Sequence, residues 1–314
     1  MCLGSANPLI IQRTSPEGVS DALGLVLGRL EREKAEGYVD GLSRGIRSGE
    51  ISTDGLWEAR RRGRLVGAIF SQVQQGKTAV VWPPRLVPGE PPETAYRLLT
   101  DSAAWLARQG VRIAHALLER VDRFEDTVLR GGGFAPLATL LYLVSLEGEF
   151  PASPPGGPLE FEMYHPGNHH RLAGVVQATY EHSLDCPSLD GVRDVEDVLA
   201  GYRATGSFCP SRWLIVRQAD RDVGCLILAD HPEEENWELL YFGLVRSARG
   251  HGWGKQIVQY AQWLTRRAGR CRLVAAVDAA NRPALDIYTA AQFRAWDRRH
   301  VYVRVFAEAA EKSL

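Results

Sequence analysis

The sequence predicts an α/β protein made of two tandem copies of one unit. Three observations predict it: a proline-rich segment near mid-chain, paired motifs at nearly constant spacing, and a shared order of strands and helices in the two halves. The segment EFPASPPGGPLE (149–160) holds four prolines and two glycines between strand-like runs, the composition of a linker. Domains are therefore expected at 1–148 and 159–314, joined by a linker at 149–158.

Across that segment, WEARRRGRLVGAIFS (57–71) parallels WLIVRQADRDVGCLILA (213–229). TDSAAWLARQGVRIAHALL (100–118) parallels VQYAQWLTRRAGRCRLVAAV (258–277), with Trp105 matching Trp263. GGGFAPLATLLYLVSL (131–146) parallels AAQFRAWDRRHVYVRVF (290–306), with Phe134 matching Phe293. The offsets of 157, 158 and 159 residues drift as small insertions would make them.

Each copy opens with a strand, PLIIQR (8–13) or LEFEMYH (159–165), and continues with helical stretches over 17–48 or 168–203. A hairpin carrying Gly67 or Gly224 follows, then a third long strand, TAVVW (78–82) or NWELLYFGLV (236–245). A helix, a strand, a short helix and a last strand complete the unit. One crossover helix between neighbouring strands implies a sheet carrying helices on its faces.

Bulk composition narrows the function. The 314 residues carry 37 basic and 38 acidic side chains, and neither half has the basic excess of a nucleic-acid binder. The five cysteines (Cys2, Cys186, Cys209, Cys225 and Cys271) are widely spaced and form no CxxC pair, which suits reduced thiols. No apolar run approaches a membrane span, and MCLGSANPLII lacks a charged-then-apolar signal. A soluble cytoplasmic protein with no membrane or nucleic-acid partner is expected. The HPGNHH run (165–170) reads as a solvated strand-to-helix turn and not as a metal site.

The stretch RGHGWGK (249–255) carries the chemistry. Its three glycines join the strand NWELLYFGLV to an amphipathic helix whose Ile257, Ala261, Leu264 and Ala268 share one face. Such a turn presents unpaired N–H groups at the positive end of a helix dipole, an arrangement that cradles phosphate oxygens. A Walker loop does not fit, because Arg249 and Gln256 occupy its glycine and Ser/Thr places. A GxGxxG fingerprint fails at Lys255.

The spacing that fits is Arg-x-x-Gly-x-Gly at Arg249, Gly252 and Gly254, after a strand ending at Val245. With VDAANRPALDIYTAAQF (277–293) downstream, residues 159–308 resemble the GNAT superfamily of N-acyltransferases. The resemblance implies two tandem GNAT-like units, each a mixed, mostly antiparallel twisted sheet flanked by helices. It implies that acetyl-CoA, or another acyl-CoA, is bound by Leu244, Val245, Arg249, Gly250, His251, Gly252, Trp253, Gly254, Lys255, Asn281 and Ala284. Backbone amides at Leu244 and Val245 would hold the pantetheine arm. Amides of Gly250, Gly252, Gly254 and Lys255 would hold the pyrophosphate. Tyr288 would protonate the departing thiolate, and Glu238 or an ordered water would act as base.

Acceptor contacts are expected from TYEHSLDCPSLDGVRD (179–194), at Asp185, Cys186, Asp190 and Arg193, whose acids suit a cationic amine. At the aligned place in the first half stands PGEPPETAY (88–96). Pro91 and Pro92 lack amide donors, Glu90 and Glu93 would oppose a pyrophosphate, and Asp122 and Leu129 replace Asn281 and Tyr288. The first half is expected to be a degenerate scaffold. The implied activity is acetyl transfer to a primary amine of a small molecule or a peptide. The rival is a coenzyme A-binding regulatory module without turnover.

Overall fold

The computed structural model describes residues 8–28, 44–46, 49, 51–189 and 191–306. They fall into two compact units, one of Met1–Pro136 with Val301–Leu314 and one of Leu137–His300.

In the first unit β1 (Leu9–Arg13), β2 (Leu56–Arg61), β3 (Arg64–Gln74) and β4 (Thr78–Leu86) form an antiparallel run. Helix α2 (Glu93–Arg108) then crosses over to β5 (Ile113–Leu118), which pairs with β4 in parallel. Helix α1 (Val19–Leu27) packs Ala22, Leu23 and Val26 on Leu56, Ala68 and Phe70. On the opposite face α2 and α3 (Arg123–Gly131) cover Ile69, Val81 and Ala114. Residues 68, 69 and 70 thus alternate between two covered faces. That is why the apolar run VGAIF forms a strand buried on both sides.

The second unit repeats the plan. Strands β7 (Leu159–Met163), β8 (Trp213–Gln218), β9 (Arg221–His231) and β10 (Asn236–Leu244) run antiparallel. Helix α6 (Trp253–Arg267) leads to β11 (Arg272–Asp278), which starts parallel to β10. Leu214, Leu226, Trp237 and Leu273 pack under α6 and α7 (Arg282–Ala290). Trp213, Ile215, Cys225 and Ile227 pack under α4 (His169–Tyr180) and α5 (Val195–Ala204).

The closing strands depart from the expected boundaries. β6 (Ala135–Leu146), which ends the first repeat, pairs antiparallel with β11 from Arg272↔Leu146 to Asp278↔Leu140 and belongs to the second unit. The end of β12 (Arg294–Val305) lies beside β5, where the Phe306 N–H donates to the Arg112 carbonyl at 2.8 Å, and belongs to the first unit. The compact units therefore do not divide at 149–158. The two strands differ in sequence: β6 is apolar along most of its length, whereas β12 carries Arg294, Asp297, Arg298, Arg299 and Arg304 and buries only Val301, Tyr302 and Val303.

Of the helical stretch expected over 17–48, α1 is observed and residues 29–43 lie outside the described residues. The stretch 168–203 is two helices, α4 and α5, separated by a loop. HPGNHH is a capped entry to α4: the His165 ring accepts from Gly167 N–H and Asn168 Oδ1 accepts from His165 N–H. Among the described residues no three His, Cys, Asp or Glu side chains gather as metal ligands do. The four described cysteines are free thiols, Cys2 lying outside the described residues. No helix among the described residues is long and apolar enough to cross a membrane.

Candidate active site

The site begins where β10 and β11 part. Their parallel pairing covers only Asn236–Leu239 against Arg272–Ala275. The register with β9 shifts between Leu239 and Tyr241, leaving Leu240 as an extra residue, and β10 runs on paired with β9 as far as Leu244. The Val245 N–H donates to the Val223 carbonyl at 3.0 Å. Antiparallel alternation then turns the N–H groups of Leu244 and Phe242 to the opposite, unpaired edge. Of the two amides expected at the arm, Leu244 faces the gap. Val245 does not, because β9 has already claimed its N–H.

The loop after β10 turns sharply into α6. Gly250 and Gly252 have φ of +83° and +76°, and a Cβ on either would meet nothing within 4 Å. Glycine is needed there for the left-handed backbone and not for space. Gly254 is different, since its Cβ would come 2.6 Å from Ile287 Cδ1; it permits α6 to approach α7. No side chain caps α6, and within the described residues no acceptor takes the amides of Gly250, His251, Gly252, Trp253, Gly254 or Lys255.

All of these residues but His251 border a cavity of about 580 Å³, entirely within the second unit. The open edge of β10, α7 with its cap Asn281, Ala284 and Tyr288, and the loop after α4 form its other walls. Lys255 also lines it and makes no ion pair among the described residues. Tyr288 is 4% exposed, held edge-on by Phe242 and Phe293 at ring-centre distances of 5.8 and 5.0 Å. Burial, and after it the charge of Asp185, raises its hydroxyl pKa well above the ordinary tyrosine range. It therefore keeps its proton through neutral pH.

Several expected residues act otherwise than as direct contacts. The Arg249 guanidinium donates to the carbonyls of Leu244 (3.1 Å), His182 (3.0 Å), Thr179 (2.9 Å) and Glu181 (2.9 Å). It fastens the end of α4 to the end of β10, and its charge is spent on carbonyls. Asn281 caps α7, accepting from Ala284 N–H at 3.3 Å, so that amide is engaged. His251 stacks on Trp253 at 4.7 Å and is not among the cavity-lining residues, whereas Trp253 is. Glu238 does not reach the cavity: its carboxylate is 2.9 Å from His231 Nε2. That contact raises the His231 pKa. In the acceptor loop Asp185 lines the cavity, while Cys186 sits beside it at φ +51° with its thiol pushed up to about 12 by burial. Arg193 lies 5.5 Å over the Tyr180 ring, and Asp190 is outside the described residues. Phe242 and the extra residue Leu240 were not expected. A bulge leaves no mark in an unbroken apolar strand.

Residues 176–293, from the middle of α4 to the end of the turn after α7, match the family model described as acetyltransferase (GNAT) family. That stretch is a GNAT domain. Fold similarity extends beyond it. A GCN5-related N-acetyltransferase from Sphaerobacter thermophilus is 14% identical with a TM-score of 0.62, and the match covers 95% of both chains, so the first unit shares the fold. A glucosamine N-acetyltransferase region of a fungal multi-domain GH3 beta-N-acetylglucosaminidase is 13% identical with a TM-score of 0.60, covering 95% of this chain and 38% of that one. A conserved protein of unknown function from Staphylococcus epidermidis is 12% identical with a TM-score of 0.54, covering 77% and 92%. No curated protein matches the sequence.

Proposed function

We propose that the second unit binds acetyl-CoA, or another acyl-CoA, and transfers the acyl group to a primary amine of a small molecule or peptide by direct attack in a ternary complex. The observation that carries this reading is the row of unengaged amides from Gly250 to Lys255 along the cavity wall. Amides at a helix start that have no partner within the protein, at the positive end of the helix dipole, suit an anionic ligand. The donor, when bound, supplies the activated thioester.

The residues divide the work. Amides of Gly250, Gly252, Gly254 and Lys255 suit the pyrophosphate, with the Lys255 ammonium adding charge. The free N–H groups of Leu244 and Phe242 suit the arm and the carbonyl. Asn281, Ala284 and Arg249 hold the walls in place, and His251 braces Trp253. Tyr288 holds a proton at its hydroxyl, facing the same cavity, and is the donor to the leaving sulfur.

Calorimetry with acetyl-CoA tests the binding, with one site per chain expected. Transfer across a panel of amines tests the activity. Binding without any transfer would leave a coenzyme A-binding module instead. Y288F is expected to lower kcat at least tenfold with donor affinity nearly unchanged. Unchanged kcat would remove Tyr288 from the reaction.

A further inference from the structure

We infer that Asp185 receives the acceptor: its carboxylate binds the amine as an ammonium ion and takes one proton from it, leaving the neutral amine for attack. The inference rests on the transferase reading and adds to it the acceptor's ionic form and the group that activates it.

Three observations lead to it. Among the described residues, Asp185 is the one carboxylate that lines the cavity. The other candidate, Glu238, is turned to His231 and is absent from that lining. And the loop holds Asp185 in place: its own N–H donates to Ser183 Oγ at 3.1 Å. The walls near it are largely apolar, with Leu184, Leu240 and Tyr241 prominent. An ammonium entering there without a counter-charge would lose its hydration for nothing. Beside Asp185 it is paired.

Proton transfer balances simply: R–NH3⁺ and the carboxylate become R–NH2 and the carboxylic acid, converting two buried charges into none. A dry site favours that direction. Burial already shifts the Asp185 pKa upward, toward the range in which a carboxylate accepts protons. The charged and titratable groups around it are Arg193 and Cys186 on its own loop, Asp278 ending β11, Tyr288 on α7, Tyr241 on β10 and Tyr180 ending α4. Arg193 opposes the upward shift and Asp278 reinforces it.

Two experiments test this independently of each other. In the first, the Asp185 carboxyl is titrated by carbon NMR, identified by its loss in D185N, with methylammonium chloride or potassium chloride added. Methylammonium is expected to lower the titration midpoint where potassium does not; no difference between the salts overturns the proposal. This readout needs neither donor nor turnover, so it separates the inference from the transferase reading, whose own failure would appear as no acetyl-CoA binding. In the second, D185N is expected to lose about a hundredfold in kcat/KM for the amine while binding acetyl-CoA as before. It should also lose the fall in rate that the unmodified protein shows as pH drops through the Asp185 midpoint, and D185E should restore part of both. A D185N protein retaining the acid limb, with E238Q losing it, would move the role to Glu238.

Discussion

The two strand-to-helix turns, one per unit, hold aligned places and have opposite chemistry. In the second unit the amides from Gly250 to Lys255 are open to a cavity. In the first, Pro91 and Pro92 have no N–H, and Thr94 N–H and Ala95 N–H are taken by the carbonyls of Pro91 and Pro92. Glu90 closes the turn further, binding the Arg61 guanidinium at 3.0 Å and accepting from Thr94 Oγ1 at 2.5 Å. Yet the scaffold beneath is the same. β4 and β5 pair over three residues only, as β10 and β11 pair over four, and Asp122 caps α3 as Asn281 caps α7. Buried Leu129 takes the place of Tyr288. Core geometry and binding chemistry are therefore separable: the sheet can keep its parted strands while one turn loses most of its free donors to proline and to bonds within the turn.

The largest expected effect tests that turn directly. G252P forces φ from +76° to about −65° and removes one amide, so acetyl-CoA affinity should fall at least a hundredfold in calorimetry. In the first unit, P91A with P92A should create no second site, because Glu90 remains fastened across the turn. Two equivalents of acetyl-CoA per chain would show that the prolines alone silence it. A smaller effect is expected for R249A, which loses four hydrogen bonds from a charged donor. Thermal unfolding should register a loss of about 2–3 kcal/mol, and R249K should not restore it, since an ammonium cannot reach all four carbonyls. Smallest is the pair of caps. D122A and N281A should each lose about 1 kcal/mol, with D122A losing more, because its bond to Glu125 N–H is 2.7 Å against 3.3 Å for Asn281. Only N281A should also weaken acetyl-CoA binding.

What the sequence revealed and what it hid follow from how local each feature is. The glycines of the α6 turn are legible because a positive φ is a property of one residue. The purpose of Arg249 is not, since its acceptors at Thr179, Glu181 and His182 lie 67 to 70 residues earlier in the chain. Alternation along β10 could not say which face Glu238 takes, and the His231 pairing that decides it is a tertiary fact. The duplication was plain in the aligned tryptophans and phenylalanines. Its topology was not, because pairing between strands far apart in the chain leaves no local mark, and nothing local assigns β6 or β12 to a sheet.

That assignment governs how the chain can be made. Translation delivers β5 long before residues 301–306, so the first unit waits until the second has been synthesised before its open edge is covered. The wait exposes unpaired backbone during synthesis and gives the unit one sequence-distant closure, which slows folding. Neither half, cut at the proline-rich segment, carries its own closing strand.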